Sequence, residues 1–388
     1  MFFSHAYAQV KYCLMTVIVV GAGLGGLGAA ISILLAGHHV TVLESASNIG
    51  EIGAGIQVLS NSSRILYPWD LRNAVSKHAN LSRYCVMMSW KGTQLSQIDF
   101  HRYSEILGAP FFGFHRADLN RCLLDRATEL EADIQVSSTV VSIDYDEDGL
   151  TATLVLTDKR KLTADLIVGA DGILCKLREI LLEMPDPPVE TGDLAYRLLI
   201  HAKDMLVDPE LQEFIREPWV IYWIGPDVHA VCYVLRGGGR LNMVLIVPGD
   251  MPAGAMALES RFEGWDPRIS KIPELCQSVH EWKLCIRPSL EQWCGMALED
   301  GAALVLCLAK MTNKSPDQKL HAFKVYEEYW RERTEGVVER HQELGKNPFP
   351  WRHHGIGHWL LIYDVEKDVE DPNLPLLVAQ PDNFQTFL

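Results

Sequence analysis

Thr16-Val-Ile-Val-Val20, then Gly21-Ala-Gly-Leu-Gly-Gly26, then Val40-Thr-Val-Leu-Glu44 are the stretches that decide the fold. The β-branched run predicts a strand. The apolar spacing from Leu24 to Ala36 predicts a helix, and Gly37 is placed to stop it. Val40 to Glu44 reads as a second strand, completing a βαβ unit. Gly21, Gly23 and Gly26 give the spacing G-x-G-x-x-G at the turn. The first two glycines let the backbone approach a pyrophosphate, and the third lets helix and strand pack closely. The helix then offers its free N–H groups to the phosphates. Glu44 ends the next strand about 20 residues on, where a carboxylate takes the ribose hydroxyls. A packing turn without nucleotide is the plainer alternative, and the full strand–turn–helix–strand–acid context outweighs it. This unit alone leaves open which dinucleotide is bound.

Outward from that unit, Arg116 to Leu130 reads as a helix. Val140 to Tyr145 and Leu150 to Leu156, split by Asp146-Glu-Asp-Gly149, read as a hairpin. Leu166 to Gly169 reads as a buried strand ending at Asp171-Gly172. Around Met184-Pro-Asp-Pro-Pro188 the texture changes to short apolar strands between Gly/Pro turns: Trp219 to Ile224, His229 to Leu235, Leu241 to Val247. These predict an antiparallel sheet lying as a separate layer. After Gly295 the pattern is helical through Lys310 and again from Asp317 to Leu344. The expected organisation is an extension over 1–14, the first part of a nucleotide-binding domain over 15–183 and a β-sheet layer over 184–290. A remnant of the first domain with C-terminal helices follows over 291–345, then a tail over 346–388. The fold class is α/β, a Rossmann-like domain interleaved with an antiparallel sheet layer and C-terminal helices.

Lys+Arg 35 against Asp+Glu 50 leaves a net charge of −15 over 388 residues. That balance argues against nucleic acid and against an anionic membrane surface. No apolar run reaches spanning length, because the longest candidate, Thr16 to Leu35, is broken by the glycine motif. The first 14 residues lack the charged start and long apolar core of a signal peptide. Nine scattered cysteines form no CxxC and no zinc-ligand spacing. They read as reduced, mostly buried thiols of a cytoplasmic protein with no metal site. His353 and His354 in the tail read as surface residues.

Three later motifs narrow the dinucleotide: Glu51-Ile-Gly-Ala-Gly-Ile-Gln57 with Asn61, His115-Arg-Ala-Asp-Leu119, and Gly169-Ala-Asp-Gly-Ile-Leu-Cys-Lys-Leu-Arg178. In that order, after the glycine turn, they resemble the single-component flavoprotein monooxygenases that hydroxylate aromatic rings, especially the salicylate-hydroxylase-like branch. The resemblance implies FAD as cofactor and NAD(P)H as co-substrate. It implies an FAD site at Gly21, Gly23, Gly26, Glu44, Gly55, Gln57, Arg116, Asp171 and Gly172. Taken alone, His115-Arg-Ala-Asp-Leu119 favours a plain surface ion pair between Arg116 and Asp118. Cys175 stands where the family has Ser, a change that keeps volume and weakens a hydrogen bond, and Ser60 stands where it has Pro. A fourth family piece, a Gly-Asp segment with His-Pro and Gln-Gly, is missing. Leu290-Glu-Gln-Trp293 runs straight into Cys294-Gly-Met-Ala-Leu-Glu-Asp-Gly301, which resembles the helix that follows it. Pro248-Gly-Asp250 is the one superficial substitute, and it falls in the sheet layer.

The implied chemistry is transfer of one oxygen of O₂ to a small phenolic or polyketide-like ring through a C4a-hydroperoxyflavin. It needs a group near the flavin that holds or deprotonates the substrate hydroxyl. His229 and Tyr233 share a strand face at i and i+4, and in relatives a His or Tyr on this strand handles that hydroxyl. Arg197 resembles an arginine that in some fungal relatives holds a phenolate or acyl oxygen. The catalytic candidates are therefore Arg197, Tyr233 and His229. The plainer alternatives are a polar turn residue for His229 and sheet packing for Tyr233. Arg236 and Asn242 read as sheet surface, and the Trp219 to Trp223 stretch and Trp265 as core. Monomer or homodimer both remain open. Two other functions fit the same residues: a truncated fold that has lost its flavin, and an NAD(P)H oxidase that reduces O₂ without product.

Overall fold

The structure is a computed structural model that describes residues 14–50, 55–147, 149–226, 228–249, 262–276, 279–286 and 294–328. The extension before residue 14, Glu51 to Ala54, Asp250, the 287–293 junction, and everything after 328, including His353 and His354, lie outside the described residues. Strands β1 (Thr16–Val20), β2 (His39–Leu43), β8 (Asp133–Gln135) and β12 (Leu166–Gly169) make a parallel sheet in the order β12-β1-β2-β8. The Leu24–Leu35 helix lies between β1 and β2 as the glycine spacing requires, and nine of its residues are buried. β12 is half-buried rather than buried. It pairs along its full length with β1, and its other edge has no partner among the described residues.

The Cys294–Leu308 helix packs straight back onto the Leu24–Leu35 helix, so the first domain is completed from the far end of the chain. Small residues make the crossing. A Cβ on Gly301 would lie 2.6 Å from Ala29 Cα, and one on Gly25 would lie 3.1 Å from Ala297 Cβ. Glu299 of this helix is fully buried and accepts from the Asn61 amide, tying the 294–308 helix to the Ser60–Leu66 helix.

A second, seven-stranded sheet has the order β17-β13-β16-β15-β14-β5-β6. Its strands are β5 (Tyr84–Ser89), β6 (Gln94–Asp99), β13 (Val189–His201), β14 (Trp219–Ile224), β15 (His229–Leu235), β16 (Arg240–Pro248) and β17 (Val279–Ile286). Two of these come from within 15–183, because β5 pairs in parallel with β14 and extends the sheet past its last local hairpin. Side chains alternate across the pleat. Leu194, Tyr196, Leu198, Ile200, Cys232, Trp223 and Met243 face a core filled by Met205, Phe214, Trp265, Ile269 and Ile272. Trp265 is core, and the Asp266 beside it caps the next helix and accepts from Trp223 Nε1 at 3.0 Å. The opposite face carries Arg197, Tyr222, Tyr233 and Asn242. A small sheet, β3 (Gly55–Val58), β7 (Phe112–His115) and β4 (Asn80–Leu81), lies between the two domains with Gly113 against β15. The hairpin strands β9 (Val140–Tyr145), β10 (Ala152–Leu156) and β11 (Lys161–Ala164) form a separate antiparallel ribbon.

Candidate active site

The glycine turn is built as the sequence requires. Gly21 sits at φ +109°, where a side chain is strained, and a Cβ there would lie 2.3 Å from Ala170 O. A Cβ on Gly26 would lie 1.8 Å from Gly21 O, so this glycine is needed for packing. Gly23 differs from both: it is extended at φ −74°, caps the helix, and has nothing within 4 Å of its Cβ position. Its face of the turn is open space at a helix N-terminus. Glu44 Oε2 accepts from Ala22 N–H at 2.9 Å, which fixes the acid beside that turn, while Oε1 takes Ala46 N–H. Asn120 Nδ2 donates to Ala22 O at 3.1 Å, stitching the Arg116–Glu129 helix to the same turn.

Asp171 follows β12 at the rim of this space. Its Oδ2 accepts from Lys176 and Leu177 N–H, while Oδ1 is buried with no partner among the described residues. Gly172 takes φ +80° to make that turn. Cys175 caps the next helix through a long Sγ contact, 3.4 Å from Arg178 N, the weak bond expected of thiol for hydroxyl. Arg116 is exposed and makes no hydrogen bond or ion pair among the described residues. Its expected partner, Asp118, is taken instead by Arg236, with Nε–Oδ2 at 2.7 Å and Nη2–Oδ1 at 2.8 Å. Arg236 is thus no passive sheet surface: it clamps the sheet to the nucleotide-binding domain and leaves Arg116 unengaged. The open helix end, the orphaned Asp171 oxygen and the unengaged Arg116 fit a dinucleotide diphosphate and its sugars.

Burial pushes the Asp118 carboxyl up, but the Arg236 hydrogen bond and charge pull it further down, so its pKa is net lowered. A lowered carboxyl stabilises the fold above its unfolded value, about 3.9. That contribution is lost as pH falls through the folded value. Asp118→Asn should therefore lower Tm at pH 7 by an amount equivalent to about 0.5–1 kcal/mol, since the pair is partly solvated. Thermal melts should show the gap from wild type closing below about pH 4.

On the sheet side, cross-strand pairing brings together residues far apart in sequence. Tyr233 pairs with Asn242 and Val220; Val231 pairs with Tyr222 and Val244; Val244 pairs with Arg197. Arg197, Tyr222, Tyr233 and Asn242 therefore share one face. Gly55 closes over them: its N–H donates to Asn242 Oδ1 at 2.8 Å, and a Cβ there would lie 2.7 Å from the Tyr233 hydroxyl. Gln57 Nε2 contacts Tyr222 Oη at 3.4 Å. β3, which carries Gly55 and Gln57, thus lies directly on the Tyr222–Tyr233 face.

Burial lowers the Arg197 pKa; the Tyr233 hydroxyl opposes that shift and Arg116 adds to it. Arg197 Nε is buried with no partner among the described residues, and the guanidinium lies 5.7 Å from the Trp282 ring centroid. Burial also raises Tyr233 and Tyr222 far above a normal phenol; Tyr222 adds to the first shift and Arg197 opposes it. Both phenols stay neutral at physiological pH. His229 is on the same face but exposed, opposite Ile224 and Ile246, and four residues, about 13 Å, along the strand from Tyr233. Tyr222, read as core, Asn242, read as sheet surface, and Trp282 were not among the predicted site residues. The short connection from Ile224 to His229 was the available signal, since it sets the register that puts Tyr222 opposite Val231.

Residues 14–254 match the family model for the FAD binding domain. The FAD-dependent monooxygenase OpS4 of Beauveria bassiana (strain ARSEF 2860) is 33% identical over 362 residues, covering 83% of this chain and 83% of its own. The chain belongs to the FAD-dependent monooxygenases. The 3-hydroxybenzoate 6-hydroxylase of Klebsiella oxytoca is 29% identical over 365 residues, covering 86% of this monooxygenase and 88% of its own length. Among solved structures, CtdE in complex with FAD superposes with a TM-score of 0.74 at 17% identity, covering 96% of this chain and 99% of the other. Klebsiella pneumoniae HpxO complexed with FAD and uric acid gives 0.71 at 20% identity over 92% and 95%. At these identities the superpositions show the shared fold. The cofactor of this monooxygenase is FAD. Pro248 and Gly249 lie in the sheet layer, where Gly249 N–H donates to Gly192 O, so that segment does not stand in for the family's Gly-Asp piece. Among the described residues no helix is long and apolar enough to cross a membrane, and no acidic, His or Cys cluster could hold a metal ion.

Proposed function

We propose that this monooxygenase hydroxylates a small phenolic ring with NAD(P)H and O₂, binding the ring as its phenolate between Arg197 and Tyr233. The observation that carries this reading is the Arg197 guanidinium: half-buried, unpartnered at its buried Nε among the described residues, and within electrostatic reach of Tyr233. FAD, once reduced, supplies the chemistry that splits O₂ and delivers one oxygen atom to the ring. Gly21, Gly23, Gly26, Glu44, Arg116, Asp171 and Gly172 would hold its nucleotide end, and Gly55 and Gln57 its ring end. Everything else falls to the protein. A phenolate is the reactive form because its negative charge makes the ring electron-rich. Arg197 favours that form by charge. Tyr233, whose pKa is far too high to let it act as a base, donates its proton in a hydrogen bond to the same oxygen. Tyr222, Val231 and Leu199 supply the apolar wall that keeps water from the reacting atoms. His229 lies outside this grip at the exposed end of the face.

The first test is the visible spectrum of the purified 388-residue chain, before and after adding FAD and removing the excess. A retained flavin band, and NAD(P)H oxidation stimulated by a phenol with stoichiometric hydroxylated product, are expected. Flavin retained with H₂O₂ as the sole product would establish an oxidase instead. A well-folded chain that retains no flavin would establish the truncated fold, the reading that the missing segment before Cys294 favours.

A further inference from the structure

We propose that Asn242 is a positioning residue: its side-chain amide latches β3 onto the sheet and holds Gly55 against the Tyr233 hydroxyl. Asn242 is fully buried on a strand whose other residues between its terminal Arg240 and Pro248 are Leu, Met, Val and Ile. Its Oδ1 accepts from Gly55 N–H at 2.8 Å, a contact between residues 187 apart in sequence. An N–H can only donate, so the oxygen must face Gly55 and the NH₂ must turn away from it. That NH₂ has no partner among the described residues. Burying it unpaired costs free energy that an apolar residue of similar volume would not incur. Sheet stability therefore gives no reason for an amide at this position; the grip on Gly55 does. The seat is close on every side, because a Cβ on Gly55 would lie 2.7 Å from Asn242 Cγ and from Tyr233 Cε2 and Oη. β3 is laddered to β7, and its second side-chain tie to the large sheet, Gln57 to Tyr222, is long at 3.4 Å. Asn242, together with the β7 ladder, thus sets how far the strand carrying the flavin-side residues stands from the phenols.

The proposal rests on the functional reading above only in giving that distance a catalytic meaning; the latch itself exists without flavin. Its test is hydrogen–deuterium exchange of the full chain without flavin, comparing wild type with Asn242→Leu and Asn242→Asp. In Asn242→Leu the Gly55 amide should exchange at least tenfold faster while the β15 amides keep their protection. Asn242→Asp keeps an acceptor, so Gly55 should stay within about twofold of wild type. Unchanged Gly55 exchange in Asn242→Leu would overturn the proposal, as would loss of Gly55 protection in Asn242→Asp with β15 intact. The Asp variant decides the matter if the Leu variant does not fold. In flavin-loaded protein, Asn242→Leu should divert at least half of the NAD(P)H consumed to H₂O₂ with KM for the phenol changed less than twofold. If the wild type makes no product, the exchange arm still decides the latch, and only the functional reading fails.

Discussion

Arg197→Met should lower kcat/KM for the phenolic substrate by roughly 10- to 150-fold while leaving Tm unchanged or raised. The activity loss follows from removing a charge-assisted hydrogen bond to the phenolate, worth about 1.5–3 kcal/mol, and each 1.4 kcal/mol is about tenfold. The stability side follows from how the guanidinium is held. Its pKa is lowered chiefly by burial, its Nε has no partner among the described residues, and its stacking on Trp282 is loose at 5.7 Å. A half-buried cation with no counterion among the described residues is costly, and an unbranched apolar chain of similar length removes that cost. Steady-state kinetics and a thermal melt on one preparation check both halves. A variant that lost activity and stability together would mean that Arg197 is a structural residue. Arg197→Lys should fall between, because it keeps the charge and loses the planar fork.

The second large effect separates two glycines of one motif. Gly23→Ala should cost the flavin-free protein no more than about 1 kcal/mol, since alanine accepts φ −74° and is penalised only as a poorer N-cap than glycine. Its methyl would, however, stand in the open space over the helix end, and FAD affinity should fall at least tenfold. Gly26→Ala should do the reverse in order. Its Cβ would meet Ala170 Cβ at 3.3 Å and Gly21 O at 1.8 Å, and the latter is backbone and cannot yield cheaply. The flavin-free protein should lose about 3 kcal/mol or more, at the upper end of overpacking costs. Urea midpoints without flavin and fluorescence titration with FAD distinguish the two. Equal destabilisation by both substitutions would mean that the Gly23 face is packed rather than open.

The family's missing Gly-Asp piece gives that titration added weight. Without it the nucleotide end would fall to the glycine turn, Glu44, Arg116 and Asp171, which are held by β1, β12 and the two helices that meet at Ala22 and Asn120. Return of the 294–308 helix to the Leu24–Leu35 helix shows that the core of that domain closes across the junction.

How much of this was legible in the chain depends on how local each constraint is. The βαβ unit, the helix from Arg116, the hairpin around Gly149 and the strands from Trp219 to Val247 were all readable. Each is fixed by a turn glycine, a cap or a period of side chains within about a dozen residues. The sequence by itself also determined the family, since four motifs in order each demand a particular backbone. What it left ambiguous was every partnership between segments. Asp118 was expected to face Arg116 and instead binds Arg236, 118 residues away. Asn242 was read as surface and is fully buried under Gly55. Tyr222 was read as core and stands beside Gln57. His229 and Tyr233 share a face as expected, yet the sheet puts one at the solvent edge and the other under β3. The tertiary structure decided these because register sets them. A slip of one residue between strands would turn each of these side chains to the other face, and register comes from packing of the whole sheet rather than from any one strand.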